Sequence, residues 1–262
     1  MTQALLALAV DVAEEAARLL VDRLGAGRRD VGTKTTGTDM VTDVDRASEH
    51  LIVDRLLTAR PGDGVVAEEG AAQAGRSGIL WVVDPLDGTT NYLYGHPGFA
   101  VSLAAEDEHG ALVGVVADPL HGDVFTAVRD EGARRNGRPV RCTTKDELPT
   151  ALVGTGFSYD AARRGRQAEV LRVVLPRVRD IRRGGAASID LSWVACGRLD
   201  AFYERGLQPW DLAAGGLIAR EAGARTGDLD GGDASRAFVL AAPPALFDPL
   251  RDLLAGAGAG SA

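Results

Sequence analysis

Apolar residues recur at helical spacing at the start of the chain, where Leu5, Leu8, Val12, Ala16 and Leu19 alternate with charged positions. The pattern predicts an amphipathic helix, closed by Gly25 and Gly27. The polar, Gly- and Thr-rich run from Arg28 to Met40 predicts a loop and carries Lys34. A second helix is predicted from about Asp43 to Arg60, stopped by Pro61-Gly62. The periodicity then shortens. Val65 to Ala67 is an apolar strand ending at Glu68-Glu69, and Ile79 to Val83 is a uniformly apolar run too short for an amphipathic helix. It is expected to be a buried strand that stops where Asp84 meets Pro85. Ala100 to Ala104, Leu112 to Ala117 and Val124 to Val128 are β-rich and separated by turns, the pattern of an antiparallel meander.

From Gly137 to Pro149 the composition turns polar, which places a soft boundary there: residues 1–140 form an N-terminal α+β part and 141–262 a C-terminal α/β part of a single compact unit. Beyond it strand and helix alternate, with a strand at Ala151 to Gly154, a helix at Ala161 to Val174, and a small-residue run before a helix reaching Cys196. A strand follows at Leu199 to Glu204, then a helix opened by Pro209, a hairpin at Asp228 to Asp233, a strand at Ala237 to Ala241 and a helix to about Leu254. The Gly/Ala tail from Ala255 to Ala262 is expected to be disordered. The fold class is therefore α/β.

Composition changes this picture little: 262 residues with 45% hydrophobic and 25% charged are enough for a sizeable core. The net charge of −8 argues against nonspecific nucleic-acid binding, which needs clustered Lys and Arg. Cys142 and Cys196 are far apart without metal-ligand spacing and are read as reduced buried thiols, which suits the cytoplasm. Met1 to Val10 lacks a basic flank and makes a poor signal peptide, and no run approaches the ~18 apolar residues of a membrane span.

The candidate chemistry lies in Trp81-Val82-Val83-Asp84-Pro85-Leu86-Asp87-Gly88-Thr89-Thr90-Asn91-Tyr92, where the apolar strand ends in two carboxylates, a turn and two hydroxyls. Pro85 biases Asp84 towards an extended backbone, and Asp87-Gly88 supplies a tight turn. Two like charges so close make sense with hard metal ions between them and an incoming phosphate. A solvated Asp-Pro/Asp-Gly turn accounts for the same residues. Other acids have plain alternatives too. Thr42 with Asp45 matches a helix-capping pattern, Glu68 fits a surface hairpin, and Asp211 after Pro209 fits a helix start. The four histidines are scattered, and none is assigned to metal or acid-base chemistry.

The twelve residues from Trp81 to Tyr92 resemble the first signature of the inositol monophosphatase family, and Pro209-Trp210-Asp211-Leu212-Ala213-Ala214-Gly215 resembles its second. The resemblance implies the α-β-α-β-α layers of the inositol monophosphatase/fructose-1,6-bisphosphatase type and a lithium-sensitive, Mg²⁺-dependent phosphomonoesterase. It implies that Glu68, Asp84 and the carbonyl of Leu86 bind one metal while Asp84, Asp87 and Asp211 bind another, with two or three Mg²⁺ per site and Mn²⁺ acceptable. Thr89, supported by Asp45, would orient and deprotonate the attacking water, and the amides of Gly88 and Thr89 would hold phosphate. Gly185, Ala186 and Ala187 would line the substrate, Glu204 would accept bonds from its hydroxyls, and Lys34 matches a family position. Glu68, Leu86, Asp87 and Asp211 would face the substrate as well. Gly185 and Ser188 depart from the expected pattern, so inositol monophosphate stands as substrate beside histidinol phosphate or another sugar phosphate. A metal-binding regulatory protein without activity is the alternative of a different class. The family also implies a homodimer whose partner molecule is a small phosphate monoester, with no nucleic acid and no membrane.

Overall fold

The computed structural model describes residues 2–24, 31–33 and 40–262; Gly25, Gly27 and Lys34 lie outside them. In chain order the first part comprises α1 (Thr2–Arg23), β1 (Val31–Thr33), β2 (Met40–Thr42), α2 (Asp43–Ala59), β3 (Gly64–Ala67), β4 (Ala72–Gln73) and β5 (Leu80–Asp87). It continues with α3 (Thr89–Tyr94), β6 (Ala100–Asp107), β7 (Gly110–Asp118), β8 (Asp123–Val128), β9 (Gly132–Arg135) and β10 (Arg138–Pro139). The second part comprises β11 (Leu152–Thr155), α4 (Ala161–Val174), β12 (Asp180–Arg182), α5 (Ala187–Ala195), β13 (Ala201–Glu204), α6 (Pro209–Glu221), β14 (Arg225–Gly227), β15 (Val239–Ala242) and α7 (Pro244–Gly256).

Among the described residues two large sheets organise these elements, beside a separate antiparallel pair of β1 and β2. The larger runs β10-β9-β8-β7-β6-β5-β3-β4 and contains the expected meander; only β3 and β5 within it are parallel. The smaller runs β12-β11-β13-β15-β14, with β11 parallel to both β12 and β13. Strand alternation sends neighbouring side chains to opposite faces, and each face is covered. Trp81, Val83, Leu103 and Val115 pack on Leu5, Val12 and Leu20 of α1 and Ile52 and Leu56 of α2. On the other face Val82, Ala104, Val116 and Phe125 meet Ile189 of α5 and Leu217 and Ile218 of α6. The far side of this helix pair, with Leu191, Val194 and Ala219, packs on Phe202, Val239 and Ala241 of the smaller sheet. That sheet's last face, Val153, Tyr203 and Leu240, is covered by Val170 and Val174 of α4 and Leu246 and Leu250 of α7. The result is five layers, α-β-α-β-α, separated by four apolar interfaces.

Four expectations need correction. Strand β5 does not stop at Pro85 but runs on to Asp87, because the strand accommodates the proline, which has no N–H to give, in a bulge: Asp84 faces Ser102 and Asp87 faces Ala100, one residue more than the partner strand. The tail is ordered by packing, since Ala259 and Ala262 are buried and the Ala262 carbonyl accepts from Arg163 and Arg205. The cysteines are unpaired as expected, but half-buried rather than buried. In α1 the core face takes Leu20 rather than Leu19, which is half-buried. Among the described residues no helix is long and apolar enough to cross a membrane.

Candidate active site

The carboxyl ends of the parallel pair β3 and β5 lie side by side, and there the chain places Glu68, Asp84 and Asp87. The bulge is held open by specific bonds: the Leu86 amide donates to Asp84 Oδ1 at 3.1 Å, and Ser48 Oγ from α2 donates to the Pro85 carbonyl at 2.9 Å. Gly88 follows with φ 91°, left-handed, and a Cβ there would stand 2.8 Å from the Gly98 carbonyl. Only glycine fits this turn. It delivers Thr89 to the first position of α3, with its hydroxyl 3.0 Å from Asp45 Oδ1 and 3.2 Å from the Leu86 carbonyl. One hydroxyl proton serves one acceptor at a time, so Thr89 sits between a carboxylate and a carbonyl that compete for it.

Asp45 does both things the sequence left open. Its Oδ2 accepts from the amide and hydroxyl of Thr42, closing a capping box at the start of α2, while Oδ1 takes the bond from Thr89. The cap fixes the buried side chain, and the second oxygen is thereby aimed at the turn. Asp211 is likewise the third residue of α6, its Oδ2 accepting from the Gln208 amide at 2.7 Å in a capping box. Asp87 Oδ2 accepts from the amide and hydroxyl of Ser188, at 2.8 and 2.5 Å, at the start of α5. Each carboxylate therefore has one oxygen anchored by the protein.

The electrostatics are severe. Burial, then the charges of Glu68, Asp87 and Asp211, push the Asp84 carboxyl well above the usual range. Asp211 is pushed well above it by burial and by Asp87, Glu68 and Glu204, while Asp87 rises to about 6, chiefly by burial, with the Ser188 bonds acting the other way. Such a cluster of oxygen donors, without Cys or His, has the chemistry of a site for a hard divalent cation. Among the described residues no three of these side chains stand as a closed ligand set, although Asp84 and Glu68 lie within hydrogen-bond reach of each other. The donor types and the uncompensated charge fit Mg²⁺.

Around this centre Asn91 Nδ2 donates to the carbonyls of Gly98 at 2.6 Å and Gly184 at 2.9 Å, tying the loop before β6 to the loop before α5. Gly185 is left-handed, and a Cβ on it would lie 2.3 Å from Arg183 Nη1; Ala186 and Ala187 are largely buried and offer little surface. Glu204 ends β13, and Gly156 yields its side-chain space to that carboxylate, since a Cβ there would be 2.0 Å from Oε2. Burial raises the Glu204 carboxyl to about 7 against the opposing pull of Arg183 and Arg163. Two supports escaped the sequence reading. Glu49 of α2 accepts from the amides of Glu69 at 2.7 Å and Ala71 at 3.0 Å, fixing the turn that carries Glu68. The second is Ser188, whose amide and hydroxyl hold Asp87; its hydroxyl, polar at the start of a buried helix, is the one local signal in the sequence that marks it.

A five-layer fold with acids at the carboxyl ends of parallel strands and a Thr–Asp pair beside them is that of a metal-assisted phosphatase scaffold, and the chain belongs to the inositol monophosphatase family, whose model matches residues 1–258. Among relatives it is 47% identical over 234 residues to inositol-1-monophosphatase SuhB of Mycobacterium tuberculosis, covering 85% of this chain and 81% of that protein. It is 40% identical over 243 residues to Nus factor SuhB of Pasteurella multocida, covering 89% and 91%. The crystal structure of extragenic suppressor protein suhB from Bartonella henselae superposes with a TM-score of 0.92 at 37% identity, covering 96% of this chain and 98% of that one.

Proposed function

We propose that this chain is an Mg²⁺-dependent phosphoric monoester hydrolase that releases phosphate from inositol monophosphate. The observation that carries the reading is the Thr89 hydroxyl, 3.0 Å from buried Asp45 and next to a set of carboxylates that repel one another. Glu68, Asp84, the Leu86 carbonyl, Asp87 and Asp211 would hold Mg²⁺, which when bound supplies Lewis-acid polarisation and a more acidic water. Thr89 orients the attacking water, and Asp45 takes the proton that passes through the Thr89 hydroxyl. The amides of Gly88 and Thr89 bind phosphate oxygens. Glu204 accepts hydrogen bonds from the polyol hydroxyls, bordered by Gly185, Ala186 and Ala187; Lys34, which the family resemblance adds to this set, lies outside the described residues. Residues 1–140 and 141–262 act as one catalytic unit, because Asp87 of the first is anchored by Ser188 of the second.

Some relatives bear the name Nus factor, and a regulatory protein without activity is the competing reading. The formed Asp45–Thr89 pair favours catalysis, since capping of α2 needs only the bonds to Thr42. The test is phosphate release with Mg²⁺ from inositol 1-phosphate, with histidinol phosphate run alongside. Turnover of inositol 1-phosphate is expected, and Thr89→Ala should lower kcat by roughly 10²–10⁴-fold with little change in KM, the usual scale for a positioned proton-transfer group. No release from either ester overturns the reading; release from histidinol phosphate alone moves the substrate.

A further inference from the structure

Charge of the opposite sign gathers beside Glu204. Arg163 and Arg166 lie three residues apart on α4, Arg205 follows Glu204, and Arg236 lies shortly before β15; with Gly206 and Ala237 they line an open cleft of about 500 Å³. The sheet explains why residues so distant in sequence meet. β13 and β15 are antiparallel neighbours, Glu204 opposite Val239, and beyond them the Gly206 amide donates to the Arg236 carbonyl at 3.0 Å. Gly206 has φ 96°, and a Cβ there would come within 2.9 Å of Arg163 Nη1 and Nη2, so the guanidinium rests against bare backbone.

Elsewhere arginines are matched by acids, as in Arg129 with Asp107, Arg198 with Asp123 and Arg251 with Asp248. Among the described residues no side-chain carboxylate forms an ion pair with any of the four. Arg163 and Arg205 already share an acceptor: an oxygen of Ala262, the last residue of the sequence, takes a bond from Arg163 Nε at 3.3 Å and from Arg205 Nη1 at 2.7 Å. Arg166 and Arg236 are exposed at the mouth of the cleft. Arg163 is held below the ordinary arginine range by burial and then by the positive charges of Arg205, Arg166 and Arg236, with Glu204 opposing. Arg166 and Arg236 add two exposed cations to the cleft beside this bonded pair, and a compact anion relieves the positive charge that the four together place there. Planar guanidinium forks match the oxygens of a phosphate group, and the cleft is too small and isolated to track a nucleic-acid backbone.

We propose that Arg163, Arg166, Arg205 and Arg236 form a phosphate-binding site adjacent to Glu204 and distinct from the catalytic carboxylates. The phosphate is either a free ion or a group that the substrate carries away from the ester to be cleaved; only the second source rests on the phosphatase reading. Without Mg²⁺ the carboxylate cluster repels anions, so phosphate binding to the metal-free protein reports on the arginines.

The test is calorimetry on the full chain without Mg²⁺ at low ionic strength, using inorganic phosphate, a hexose monophosphate and the corresponding hexose bisphosphate. Wild type is compared with Arg166→Ala/Arg236→Ala and with Arg166→Lys/Arg236→Lys, whose folding is checked by circular dichroism. The alanine pair should weaken binding on the order of tenfold, the scale of charge-assisted hydrogen bonds, and the lysine pair should retain more of it. Added salt should weaken wild-type binding in the same direction. Bisphosphate preferred over monophosphate in wild type but not in the alanine pair assigns a substrate-borne phosphate; loss confined to inorganic phosphate assigns a free ion. Unchanged binding of all three probes in the alanine pair overturns the site. Turnover of inositol 1-phosphate with Mg²⁺, measured in parallel, tests the phosphatase reading on its own.

Discussion

The two ends of the parallel pair β3 and β5 carry buried carboxylates in opposite circumstances. At the amino end Asp63 accepts from Trp81 Nε1 at 2.9 Å, Ser77 Oγ at 2.6 Å and the Arg60 guanidinium at 2.5 and 3.1 Å. Burial alone would raise this carboxyl, yet the bonds from Arg60, Ser77 and Trp81 prevail and hold it below its ordinary value. At the carboxyl end Asp84 receives an amide bond from Leu86 but is otherwise set against the carboxylates Glu68, Asp87 and Asp211, with Glu68 in hydrogen-bond reach, and it is raised well above that value. Residue type and solvent exposure are alike; Asp84 lies deeper in the protein, and its partners differ. The first end is satisfied and serves the fold. The second is left short of positive charge, as ligand sites at the carboxyl ends of parallel strands commonly are.

The largest effect should come from breaking the strained end. Asp84→Asn should reduce phosphatase activity by more than the roughly 10²–10⁴-fold that follows loss of a positioned proton-transfer group. The same substitution should raise the thermal stability of the protein in EDTA, because one of four mutually repelling charges is gone. The pH dependence carries the sign. Asp84, Asp87 and Asp211 have folded values above the unfolded 3.8, so the metal-free fold binds more protons than the unfolded chain and loses stability as pH rises from 3.8 through about 6. Mg²⁺ should restore it, by about 2.7 kcal/mol at a hundredfold excess over Kd. Wild-type melting in EDTA that improves between pH 4 and 7 would contradict this picture.

The satisfied end should respond the other way. Asp63→Ala leaves Trp81 Nε1 and Arg60 without their acceptor in a buried place and should destabilise the fold by about 3 kcal/mol, with kcat unchanged. Here the folded value is lowered, so the ionised group contributes stability above the unfolded 3.8 and loses it as pH falls through the folded value. Urea midpoints of wild type and variant should therefore converge only in strong acid. A kcat loss in Asp63→Ala matching that of Asp84→Asn would erase the distinction between the two ends.

What the sequence made legible follows the range of the forces involved. The helices and the meander were readable because local periodicity sets them, and the Asp84–Thr89 turn because proline and glycine constrain their own backbone. The double use of Asp45 was half visible, since its bond to Thr42 is local and its bond to Thr89 spans 44 positions. Glu49 under the Glu68 turn and Ser188 on Asp87 101 positions away are set by packing between layers, and Trp81 on Asp63 by the pairing of β5 with β3; no local pattern records them. The continuation of β5 through Pro85 depends on what its neighbour β6 can pair with, which the strand's own residues do not state. The tail was misjudged for the same reason: its composition is that of a disordered end, but Arg163 and Arg205 come from elsewhere to hold it.

The smallest effect belongs to Glu204, which stands between the two conditions. It is raised to about 7 by burial and by Asp87, but Arg183 and Arg163 oppose the rise and keep it within reach of physiological pH. Above that value the ionised carboxylate accepts two hydroxyl bonds; below it a proton blocks one oxygen. The KM for inositol 1-phosphate should therefore rise as pH falls through about 7, while kcat on a simple aryl phosphate, which lacks the hydroxyls, follows only the metal centre. Glu204→Gln should raise KM for the polyol ester on the order of tenfold and flatten its pH profile, because the amide has no proton to gain in this range. Equal loss of turnover on both esters would instead place Glu204 with Asp84 and Asp211 in the strained set, and the comparison would then divide the carboxylates five to one rather than grade them.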